Sequence, residues 1–244
     1  MFQGLFVALA AALTLPGSSG QSGPSGAPGP PGHSAALTTT ELTWLAAAAP
    51  ALAFSRAQQL PLSVMVQTQT TAGQSPMGLA VIGDHCVLAL AVRGKPEAQA
   101  RLDRIAPGWR NPAIEAIAAH ELGHCWRHLQ HTGGTLLSGL IDSNGFSQAS
   151  DGAADLLKNM WRTRPDNGVA DRVGLAWTLQ RQPSRYGEVH AWQAGLRADQ
   201  AVDTGPHDTR VWVRLAEDKA AFKPAGSLFE QAESLWQAGL LEDS

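Results

Sequence analysis

Five consecutive residues, His120-Glu121-Leu122-Gly123-His124, constrain this 244-residue chain more than any other feature. Asn111-Pro112 upstream suits a helix start, because Asn caps and proline at the first helical position forfeits no hydrogen bond. On a helix over 112–130, positions 120 and 124 lie one turn apart on one face. Two imidazoles so placed reach a single metal ion, and neutral nitrogen donors suit zinc. Glu121, beside the first histidine, stands where it can touch a water on that ion. Ile114, Ile117 and Leu122 offer apolar packing, while Ala118, Ala119 and Gly123 let another element approach closely. The plainer reading is a helix whose histidines are ordinary, partly buried polar residues.

Composition narrows the functional classes. The formal net charge is −3, charged residues are 16%, and no Lys/Arg block stands out, which argues against nucleic-acid binding. Gly-rich segments lack a phosphate-loop lysine, so nucleotide binding has no support. The apolar stretches 2–14 and 42–54 are too short to span a bilayer. The first resembles the apolar core of an export signal, although no Lys or Arg precedes it. A periplasmic or secreted protein is the expectation, with a cytoplasmic one as the alternative. Cys86 and Cys125 form no CxxC pair, which argues against a cysteine-ligated zinc. They read either as one disulfide of an exported protein or, for Cys125, as a small buried residue on the motif helix.

Residues 15–34 are Gly/Pro/Ser low complexity and read as a flexible tether. Residues 1–37 therefore form a leader and linker, and 38–244 the folded domain. Helix is expected over 39–57, with Pro50 as a kink or break. A strand is expected over 60–70, and a hairpin over 77–94 turning at Gly83-Asp84. Residues 135–149 are ambiguous, and 209–216 suit strand or helix. Further helices are expected over 150–163 (ended by Pro165), 166–181 and 185–198. Ser227-Leu228-Phe229-Glu230 is a capping box for a last helix ending near Gly239. Strands first and helices later point to an α+β fold.

The motif resembles that of zincin-type zinc metallopeptidases. More narrowly, it is similar to members in which a downstream helix supplies an acidic third ligand. That helix often carries E-x-x-A-D, and here the run is Asn167-Gly168-Val169-Ala170-Asp171. Asn167 stands at the Glu position, and Asp171 matches the final Asp. The strict H-E-x-x-H-x-x-G-x-x-H version is absent, since Arg127 and Gln130 occupy its glycine and third histidine. The resemblance covers residues 112–177. It implies a zincin-like metallopeptidase domain, an N-terminal hairpin followed by a mostly helical part. It also implies zinc held by His120 and His124, with peptide bonds hydrolysed by a metal-activated water and Glu121 as general base.

Asp171 is the leading third ligand, 47 residues after His124 and set among small and apolar neighbours. Asp166 and His190 are alternatives, and a salt bridge to Arg127 or a neighbour is the competing account of Asp171. Tyr186, the only tyrosine, and His190 one turn later are candidate oxyanion donors. Simple packing explains both equally. The 77–94 hairpin is a candidate edge for an extended peptide substrate. Two rival functions remain open: a catalytically inactive relative that binds a partner, favoured by Asn167, and a metal-dependent hydrolase of a non-peptide amide.

Overall fold

The computed structural model describes residues 36–67, 75–94, 96–130, 153–200, 208–223 and 226–242. The leader expected over 1–37 lies almost wholly outside these, as does the ambiguous stretch 135–149.

Helix α1 spans Thr39–Ala57. It opens on a reciprocal cap: Glu41 N–H donates to Thr38 Oγ1 (3.2 Å), and Thr38 N–H donates to Glu41 Oε2 (2.7 Å). The helix runs through Pro50 and buries Trp44, Ala47, Ala48 and Ala51. Strands β1 (Leu62–Val66), β2 (Met77–Ile82) and β3 (His85–Leu90) form one sheet in the order β1-β3-β2. β3 pairs parallel with β1 and antiparallel with β2, leaving β1 and β2 on the edges among the described residues. Gly83 takes φ 63° in the β2–β3 turn, where a side chain would be strained.

A short helix α2 (Pro96–Asp103), not expected from the sequence, and a 3₁₀ turn at Pro107–Trp109 lead into α3 (Arg110–Gln130). The remaining helices are α4 (Ala153–Arg181), α5 (Tyr186–Gln200), α6 (Arg210–Leu215) and α7 (Leu228–Glu242). The ambiguous 209–216 stretch is thus helical. The expected break at Pro165 does not occur, and α4 continues through it. A proline inside a helix costs about 3 kcal/mol. Beyond it, α4 buries Val169, Ala170, Val173, Leu175, Ala176 and Trp177, which offsets that cost.

α3 packs against α1, β2 and α4, and α7 covers α4. α3 and α4 approach closely because glycines line their contact. A Cβ on Gly123 would lie 3.0 Å from Ala170 Cα, and one on Gly174 would lie 2.9 Å from the Ala116 carbonyl oxygen. Buried Glu115 pins the same pair, accepting hydrogen bonds from Trp177 Nε1 (2.8 Å), Arg181 Nε (3.3 Å) and Gln182 Nε2 (3.2 Å). A disulfide joins Cys86 of β3 to Cys125 of α3, so the central strand is bonded to the motif helix one residue past His124.

Candidate metal and catalytic centre

The i, i+4 spacing on α3 turns both imidazoles toward one point. His120 Nε2 lies 3.1 Å from His124 Nε2, with the rings near perpendicular at 80°. The other ring nitrogens are held from α4. His124 Nδ1–H donates to Asp166 Oδ2 at 2.6 Å, and His120 Nδ1–H donates to Asp171 Oδ1 at 2.9 Å. α4 thus presents one carboxylate to each histidine. In the neutral tautomer that gives each Nδ1 proton to its aspartate, each Nε2 carries a lone pair. Two lone pairs facing each other at 3.1 Å require a cation or a proton between them.

The separation also fits a metal. Two nitrogens on a tetrahedral zinc at ordinary bond lengths stand about 3.3 Å apart. A histidine whose far nitrogen is fixed by a carboxylate is the usual arrangement of a zinc ligand. His120 and His124 are therefore the residues that could hold such an ion. Among the described residues, no group of three or more His, Cys, Asp and Glu side chains is arranged to do so.

The expected third ligands are engaged elsewhere. Asp171 has no exposed surface, and both its oxygens are taken. Arg197 of α5 donates to them from Nη2 (2.6 Å) and Nε (2.8 Å), and the Thr209 hydroxyl donates to Oδ2. Asp171 thus orients His120 from the Nδ1 edge, away from the paired Nε2 atoms, and its salt bridge runs to Arg197 rather than Arg127. Asp166 plays the same part for His124, and Arg127 Nε lies 3.1 Å from its second oxygen. His190 Nε2 donates to the Val213 carbonyl at 2.8 Å. Asn167 is mostly buried on α4, one turn before Asp171.

Glu121 is buried on α3 between these groups and the sheet. Burial raises its pKa, opposed by His120, His124, Arg197 and the Leu79 backbone N–H of β2. Burial would likewise raise Asp171, but Arg197 and His120 outweigh it and hold the carboxyl far below the usual range. Asp166 is also lowered: burial is overcome by His124 and Arg127. His124 shows the converse, since burial disfavours its charge while Asp166, Glu121 and Asp171 raise its pKa.

Tyr186 is fully buried, and its hydroxyl donates to the Ala216 carbonyl. Burial raises its pKa, with Asp218 adding to the shift. Its ring stacks on His190. Both expected oxyanion donors therefore place their polar atoms on carbonyls at the α6 end. His128, one turn beyond His124, directs Nε2 to the Gly83 carbonyl (3.3 Å) in the hairpin turn.

Arg197, Thr209 and the pairing of Arg127 with Asp166 were not legible as site features. The one available signal was that a buried aspartate must find a cation, and spacing does not say which. No protein-family model, curated protein or solved structure matches the chain. No helix of the described residues is long and apolar enough to cross a membrane.

Proposed function

We propose that this protein hydrolyses peptide bonds with a zinc ion held by His120 and His124. The observation that carries the reading is the converging Nε2 pair, with each Nδ1 anchored on its own aspartate. A bound zinc would supply a water made acidic enough to attack at neutral pH and would polarise the scissile carbonyl. Glu121 is the general base in this reading: its carboxylate takes the water's proton and returns it to the leaving nitrogen. Its burial beside the histidines excludes competing solvent. Asp166 and Asp171 keep the histidines in the tautomer that leaves Nε2 free of a proton. β2 supports an extended peptide as substrate only as a sheet edge among the described residues, since its Leu79 N–H is already given to Glu121. The buried Cys86–Cys125 disulfide supports an oxidising compartment, periplasmic or extracellular.

One observation favours a second reading. Asn167 stands in place of an acid, and no third acidic or imidazole ligand accompanies the pair among the described residues. A proton between the imidazoles then replaces the metal, and the domain binds a partner without catalysis. Purified protein tested on an unstructured peptide separates the two. The metallopeptidase reading expects cleavage that is abolished by a chelator and restored by zinc. It also expects a loss of at least about a hundredfold in Glu121→Gln with zinc still bound, the scale of a general base. Equal cleavage by Glu121→Gln, or none by the wild type loaded with zinc, overturns it.

A further inference from the structure

We propose that Arg127 is a positioning residue for the metal-binding pair: acting through Asp166 it fixes His124, and α7 holds Arg127 in place. The inference rests on the reading that His120 and His124 hold a metal.

Arg127 follows His124 by three residues on α3, so both side chains leave the same side of the helix. The Asp166 carboxylate lies between them. Its Oδ2 accepts from His124 Nδ1 at 2.6 Å, and its Oδ1 lies 3.1 Å from Arg127 Nε. The second approach is an ion pair outside good hydrogen-bond alignment, so toward Asp166 the guanidinium acts as a charge. That charge matters because Asp166 is mostly buried, and a buried carboxylate without a cation is costly.

α7 holds the guanidinium itself. Arg127 Cζ sits 4.4 Å from the centroid of the Trp236 ring, and Nη1 lies 3.9 Å from Glu233. A cation over an indole face at this distance is attracted to it, more so when desolvated. Arg127 is only 11% exposed. The α7 backbone at this point is tied to α6, since Trp212 Nε1–H donates to the Trp236 carbonyl at 3.3 Å.

The other histidine has a brace of the same make. Arg197 of α5 holds Asp171, and Asp171 holds His120. Each ligand thus carries an arginine–aspartate relay, one from α5 and one sheltered by α7. A carboxylate free to turn would let His124 rotate and misdirect its Nε2. A charge set on Oδ1 leaves Oδ2 for the imidazole. If Arg127 were only a pin between helices, its loss would lower stability and leave metal affinity unchanged.

The test is zinc affinity, measured by competition with a chelating dye at fixed pH and salt, beside the unfolding midpoint of each metal-free variant. Arg127→Met is expected to bind zinc about tenfold more weakly, at the low end of the range for groups behind a metal ligand. Asp166→Ala is expected to lose up to about a hundredfold. Arg127→Lys, which keeps a cation near Asp166, is expected to recover most of the affinity. Arg127→Gln replaces the Met variant under the same criterion if that one does not fold. Wild-type affinity in the folded Met or Gln variant, or a Lys variant no better than either, overturns the inference alone. A wild-type protein that takes up no zinc overturns both this inference and the reading beneath it.

Discussion

Asp171 has no contact with solvent, and its charge is sustained by Arg197, His120 and Thr209. Removing one member of a buried ion pair strands the other, which typically costs about 3–5 kcal/mol. Asp171→Ala is therefore expected to lose that much stability in denaturant unfolding without metal, because Arg197 and His120 both lose the buried carboxylate they face. A loss below about 1 kcal/mol would contradict the buried pairing. Gly123 makes a steric prediction of its own. Its added Cβ would press on Ala170 Cα at 3.0 Å and on Val173 side-chain atoms at 3.1 Å. Gly123→Ala should destabilise by about 1–3 kcal/mol through overpacking, measured the same way, and an unchanged midpoint would show that the helices part freely. At this scale the sequence carried the pairing of the two histidines, since i, i+4 positions share one helix face. It did not say which ring nitrogen an aspartate meets. Asp166 and Asp171 were both legible as partners of the site, but their side of the imidazole depends on how α4 lies across α3.

Helix α1 and the β3–α3 junction show how elements hold the domain together. Glu41 closes the α1 cap and also takes Arg93 Nε (2.9 Å) and Nη2 (2.6 Å), with no exposed surface of its own. The Arg93 hydrogen bonds lower its pKa from the usual 4.5, against burial and with help from Thr38. Because the folded pKa is the lower one, the stabilisation is complete above about pH 4.5 and is lost as pH falls through the folded value. Glu41→Gln should cost on the order of 1–2 kcal/mol at pH 7, and the gap to wild type should close below the folded pKa. A gap that stays constant with pH would contradict this. The disulfide closes a 39-residue separation, for which chain entropy gives a stabilisation of about 4 kcal/mol. Cys86→Ala with Cys125→Ala should lower denaturant stability by about 2–4 kcal/mol. The hairpin and its Gly83 turn were legible because alternating apolar runs and a turn glycine act locally. The passage of α4 through Pro165 was not, because it is decided by what the following turns bury against α3.

The described residues place the motif helix α3 in contact with both the sheet and α4, so that each histidine is held from behind and Glu121 faces β2. The two histidines stand four residues apart on one helix, but their anchors come from α4, and the anchors' own partners from α3, α5 and the turn before α6. That distribution explains why local motifs revealed the donors and not their supports. The account stands or falls on whether a metal replaces a proton between the two Nε2 atoms. Zinc bound per chain, measured on protein stripped by a chelator and then titrated, tests this most directly. The account predicts about one zinc per wild-type chain and none held by His120→Ala with His124→Ala. A wild-type protein that binds no zinc, or a double variant that binds as much, would contradict it.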